Sequence, residues 1–121
     1  MIKLIDIINE RKLMKTTATF SLSFDLNSSI HSDERKFRHL SEITDNEIIK
    51  TVESAFEEIT NLLIFDDIDI GDEICIANLK TNLNVVCGIT EGSNNNVVLT
   101  LITVIRKYNF KPYSGTFLIE I

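Results

Sequence analysis

Tryptophan is missing from this chain, proline occurs once and glycine four times, and these scarcities remove several classes of site. Gly71, Gly88, Gly92 and Gly115 are scattered as turns or strand kinks, and none belongs to a GxGxxG or a GxxxxGK-Ser/Thr run, so a nucleotide-phosphate loop is unsupported. Cys75 and Cys87 are the only cysteines. They fall inside expected strands without CxxC spacing or a nearby histidine, which argues against zinc and for two reduced core thiols. No stretch approaches the roughly 18 to 20 uninterrupted apolar residues of a bilayer crossing. The N-terminus also lacks an apolar signal-peptide core ending in small residues. A cytoplasmic protein without a membrane partner is therefore expected. No GxSxG and no nucleophilic pairing of cysteine with histidine is present. The acidic run Asp66, Asp67, Asp69, Asp72 and Glu73 lacks the ligand order and closing glutamate of an EF-hand. Neither a metal nor a cofactor is expected.

What the chain does have is ordinary. Its 121 residues suffice for one sizeable core, and 44% apolar with 25% charged residues is the composition of a globular domain. A single domain over 1–121 is the working assumption. The net charge of −6 is unevenly spread: residues 42–73 hold eleven of the eighteen acids and only one base, Lys50. The remainder carries eleven bases against seven acids, or +4. One acidic flank and one mildly basic flank follow, and the basic one keeps an anionic partner such as RNA open.

The hydrophobic pattern predicts an α+β fold. Residues 2–15 place Leu4, Ile5 and Ile8 on one side at helical spacing, giving a possible N-terminal helical arm. From Thr19 to Leu26 the pattern alternates, with Phe20, Leu22, Phe24 and Leu26 on one face, as a half-buried strand requires. Ser32 can cap a short helix through about Leu40. Thr44 and Glu47 then form a capping box, flanked by Ile43 and Ile48 as a hydrophobic staple. The main helix, about 45–63, carries one stripe through Ile48, Val52, Ala55, Phe56, Ile59, Leu62 and Leu63. Residues 73–121 read as strands at 73–79, 83–90, 96–107 and 115–121 in a mainly antiparallel meander. Val97 to Ile105, nearly all apolar, reads as a central strand covered on both faces. The single proline, Pro112, falls in a loop before the last strand, where it breaks no ladder.

Chemistry concentrates in IHSDERKFRHL. On a helix beginning near Ser32, Arg35 and Arg38 are neighbours, with His31 at the entrance and His39 one turn beyond Arg35. Imidazole beside two guanidiniums suits phosphoryl transfer at RNA: histidine moves the proton of the 2′-hydroxyl or the leaving oxygen, and arginine holds the phosphate. The bland alternative is a surface where Arg35 pairs with acids of the next helix and His31 accepts a loop hydrogen bond.

The order of these elements, a helix bearing H-x-x-x-R-x-x-R, a capped helix and then several strands, resembles the small ribonucleases of the barnase, EndoU, colicin and RelE-like superfamily, particularly phage-encoded members. The likeness spans about residues 30–121. It implies that His31 transfers protons and that Arg35 and Arg38 bind phosphate. It also implies that Thr103, on a central strand, orients the phosphate. Arg106 and Lys107 follow on the same strand, and alternation lets only one of them face a given cleft. Tyr113 and Ser114 could stack a base or donate a hydrogen bond, although such residues more often shape a turn. With no tryptophan and only Tyr108, Tyr113 and a few phenylalanines for stacking, the chain departs from typical single-strand readers.

Two functions follow. One is a metal-independent endoribonuclease working by 2′-hydroxyl attack. The other is a non-enzymatic binding or assembly module that engages a protein partner or forms a homodimer through its acidic helix or a sheet edge.

Overall fold

The structure, a computed structural model, describes residues 13–15, 18–26 and 43–121. In chain order it contains β1 (Leu13–Lys15), β2 (Ala18–Asp25), α1 (Asp45–Ile64), β3 (Glu73–Asn78), β4 (Leu83–Glu91), β5 (Asn96–Arg106) and β6 (Thr116–Glu120). The expected helix over 2–15 is corrected at its end, because Leu13–Lys15 is a strand paired with β2. The short helix expected over 32–40 lies outside the described residues.

α1 starts where the sequence says it should. The Thr44 side chain accepts the Glu47 N–H at 3.1 Å, satisfying one of the donors a helix start leaves without a partner. At the other end Asp66 adopts a left-handed φ of 61°. Its N–H bonds Leu63 O at 3.3 Å and that of Asp67 bonds Leu62 O at 2.9 Å, a Schellman closure with aspartate in the place glycine usually takes. Between these caps the apolar stripe Ile48, Val52, Ala55, Phe56, Ile59 and Leu63 is buried. Thr51 and Thr60, also buried, satisfy their hydroxyls on the carbonyls four residues back.

The six strands form one sheet in the order β1-β2-β5-β4-β3-β6. This corrects the expected layout in two respects. The sheet is mixed, because β2 pairs with β5 and β6 with β3 in parallel. It also includes chain from before the helix, so α1 sits between β2 and β3 and is not N-terminal. Only β3, β4 and β5 form the expected meander. Its turns are built from asparagine. Asn78 accepts the N–H groups of Lys80 and Thr81, and Asn82 has φ 64°. Asn94 and Asn95, at φ 55° and 60°, form the paired left-handed turn suited to a tight hairpin.

One face of the sheet, presenting Leu22, Phe24, Ile74, Ile76, Val85, Leu99, Leu101, Val104 and Ile119, packs under α1 as the core. Cys87 lies in that core and Cys75 is buried in the neighbouring strand. Burial pushes the Cys75 thiol up to about 11. Cys87 is raised further, by burial first and by the nearby Cys75 second. Both are protonated at neutral pH and poor nucleophiles.

β5 is central but is not covered equally on both sides. Val97, Leu99, Leu101 and Val104 are buried toward α1, whereas Val98, Thr100, Ile102, Thr103 and Ile105 are half-buried. No helix among the described residues is long and apolar enough to cross a membrane.

Candidate functional site

The second face of the sheet, away from α1, is where polar groups gather. A β-bulge decides which ones. Cys87 pairs with Leu101 but Val86 pairs with Thr103, so Ile102 is the extra residue. Strict alternation from Leu101 would point Thr103 and Lys107 at the helix. The bulge reverses the parity: Thr103, opposite Val86, faces away from α1, and Arg106, opposite Leu83, faces toward it.

This resolves the choice that alternation left open. Arg106 donates to the Glu47 carboxylate of α1 at 2.6 Å and to Thr81 O at 2.9 Å, tying the helix start to the β3–β4 turn. Glu47 thus spends its carboxylate on Arg106. Lys107 takes the same face as Thr103 and lines a concavity there with Ala77, Asn84, Phe110, Lys111, Leu118 and Glu120. Tyr113 is 89% exposed three residues before β6, at the far edge of the sheet from β5. Of the expected site residues among the described ones, then, Thr103 and Lys107 share a face of the sheet, four residues apart and with only Lys107 lining the concavity, whereas Arg106 faces α1 and Tyr113 lies at the β6 edge. His31, Arg35, Arg38 and His39 lie outside the described residues.

Other polar residues share the second face. Asn96 accepts from the Ser21 hydroxyl at 3.1 Å and donates to Ser23 Oγ at 3.1 Å. Ser23 is wholly buried and Asp25 is 8% exposed. Asp25 is in register with Thr100, whose hydroxyl donates to Gly88 O at 3.3 Å. The sequence marked Ser21, Ser23 and Asp25 as the polar face of a strand, and a polar face normally meets water. Ser23 and Asp25 are instead buried, and Ser21 is half-buried. The only local sign was that β2 is short enough in charge to sit inside a sheet.

Asn84 is 3% exposed. Its amide donates to the carbonyls of Asn82, Ile105 and Lys107 at 3.0, 3.1 and 3.1 Å, fixing the chain where β5 gives way to residues 107–115. That connection crosses the second face and is rich in cations and rings: Lys107, Tyr108, Phe110, Lys111 and Tyr113. The acidic run behaves differently. Asp72 accepts the Asp69 N–H at 2.8 Å, and Asp69 accepts that of Ile70 at 2.7 Å, so these carboxylates close a turn. Among the described residues no cluster of His, Cys, Asp or Glu is arranged to hold a metal ion.

No family model, no curated protein and no solved structure matches the chain.

Proposed function

We propose that the protein is a metal-independent endoribonuclease of the RelE or barnase-like type, acting on RNA across the second face of its sheet. The observation that carries this reading is that Thr103 and Lys107, four residues apart, lie on that same face at the end of β5, the strand that pairs with β2, from whose end the chain continues to His31. Asp25 stands beside Thr100 in register, and Leu26 follows it. Five more residues reach His31, an extended span of up to about 17 Å. Thr103 is only about 10 Å along β5 from Thr100. Connectivity therefore permits His31 to meet Thr103.

In this mechanism His31 takes the 2′-hydroxyl proton as the 2′-oxygen forms its bond to phosphorus and the bond to the 5′-oxygen breaks. The leaving oxygen is protonated by the imidazolium or by water. Arg35 and Arg38 hold the phosphate and offset its developing charge, Thr103 donates to a phosphoryl oxygen, and Lys107 binds a neighbouring phosphate. The products are a 2′,3′-cyclic phosphate and a 5′-hydroxyl.

The test is cleavage of a labelled structured-RNA mixture in EDTA, with a His31→Ala, Arg35→Ala double variant whose fold is verified by circular dichroism. The parent is expected to cleave, and the variant to be slower by about 100-fold or more. Absence of cleavage by the parent ends the enzymatic reading.

A second comparison separates the two adjacent cations. Lys107→Ala is expected to lower kcat/KM by about tenfold with little change in stability. Arg106→Ala should cost about 1 kcal/mol of stability while leaving the rate per folded molecule intact. Equal losses of activity in both variants would contradict the face assignment.

A further inference from the structure

Asn84 is 3% exposed, and the protein uses only half of its carboxamide. The nitrogen donates to the carbonyls of Asn82, Ile105 and Lys107, and no described residue donates to the oxygen. Buried side-chain acceptors are normally met by a donor, so an unmet one on the wall of a hollow is a sign of a ligand. Asn84 belongs to the wall of the concavity on the second face, with Lys107, Phe110 and Lys111. The amide is planar, and with its nitrogen turned to three carbonyls, Oδ1 is the polar atom it has left for that hollow. What enters must bring an N–H or an O–H.

The rest of the wall narrows the choice. Phe110 contributes a half-buried ring, a surface on which a planar group can stack. Lys107 and Lys111 are exposed and flank it in sequence, one cation before the ring and one after. A planar donor between two anions is a nucleobase in a phosphodiester chain. The hollow is small, about 40 Å³, so it admits the edge of a base and not the whole ring. An exocyclic amine, which projects beyond its ring, suits it.

We infer that the concavity is a subsite for an unpaired, amino-bearing base, a specificity that rests on RNA being the substrate in the reading above. The amine of adenine, cytosine or guanine donates to Asn84 Oδ1, the base stacks on Phe110, and the two lysines hold the flanking phosphates. Uracil is disfavoured. Its ring N–H is recessed between two carbonyl oxygens, which would meet Oδ1 oxygen to oxygen. Glu120, also on the wall, repels phosphate, so the RNA backbone is confined to the lysine side.

Binding is separated from cleavage by using His31→Ala, which leaves the wall of the concavity intact. Fluorescence anisotropy then reads the affinity for labelled oligouridines of about nine nucleotides at low salt. One central uridine is replaced in turn by adenosine, by cytidine, or by purine riboside, which is adenosine without its amine. Adenosine and cytidine are expected to tighten binding by about tenfold over uridine, and purine riboside to lose that gain. Phe110→Ala in the same background, with its fold verified by circular dichroism, should weaken binding of the adenosine oligomer by about tenfold. Equal affinity for all four centres, purine riboside bound as tightly as adenosine, or an unchanged affinity in Phe110→Ala overturns the subsite. Cleavage by the parent in EDTA is read separately: base preference without cleavage keeps the subsite and ends the enzymatic reading, and cleavage without base preference does the reverse.

Discussion

Phe24→Ala is expected to lower the unfolding free energy by about 3–5 kcal/mol, a large share of the roughly 5–15 kcal/mol that holds a domain together. Phe24 is fully buried, on the α1 side of β2, and stands in register with Leu99 of the central strand. Its neighbours Leu22 and Leu26 are also buried, so the ring sits inside a continuous apolar layer that a methyl group cannot refill. The measurement is urea unfolding followed by circular dichroism, comparing midpoints at constant slope. A change below about 1 kcal/mol would mean that β2 is an appendage to a core completed by residues 43–121. A full-size change makes β2 an integral strand of that core.

The same strand shows where the sequence was legible and where it was not. Local pattern was sufficient for elements. The Thr44 and Glu47 pair and the stripe from Ile48 to Leu63 placed a helix at 45–63, and α1 spans 45–64. Alternation placed a strand at 19–26, and β2 spans 18–25. Turn residues separated β3, β4 and β5 within a residue or two. Pairing was not legible, because the choice of neighbour depends on contacts between distant segments. Nothing within TFSLSFDL says that it joins β5 in parallel. The nine residues between β5 and β6 were one available sign, since that is long for a hairpin and nearer to a crossover.

Facing was lost for a different reason. One extra residue, Ile102, inverts every side chain that follows it on β5, and a bulge leaves no mark in a run of β-branched residues. Thr103, Arg106 and Lys107 could be assigned to one strand from sequence, but their division between two faces could not. The cluster His31, Arg35 and Arg38 lies outside the described residues, so its part in the site rests on sequence spacing together with the reach from Leu26.

Asn84→Leu is the second change with a large expected effect, about 2–4 kcal/mol. Leucine keeps the number and branching of asparagine's side-chain heavy atoms and suits a strand, so propensity and shape alone would predict little. The cost comes from hydrogen bonds. One buried amide nitrogen, with two hydrogens to give, is shared among the carbonyls of Asn82, Ile105 and Lys107. Removing it takes a donor from these carbonyls, of which Asn82 O keeps the Lys107 N–H at 2.9 Å, at a site only 3% exposed where water does not readily replace it. The carbonyls also belong to the β3–β4 turn and to the start of the 107–115 connection, so the loss should be local as well as global. Limited trypsin digestion under native conditions reads that part. Cleavage after Lys107 is expected to accelerate in Asn84→Leu by more than the global stability loss accounts for. In Phe24→Ala it should rise only in step with global unfolding. If both variants cleave in proportion to their stabilities, Asn84 holds the fold as a whole and has no special hold on the strand end that presents Lys107.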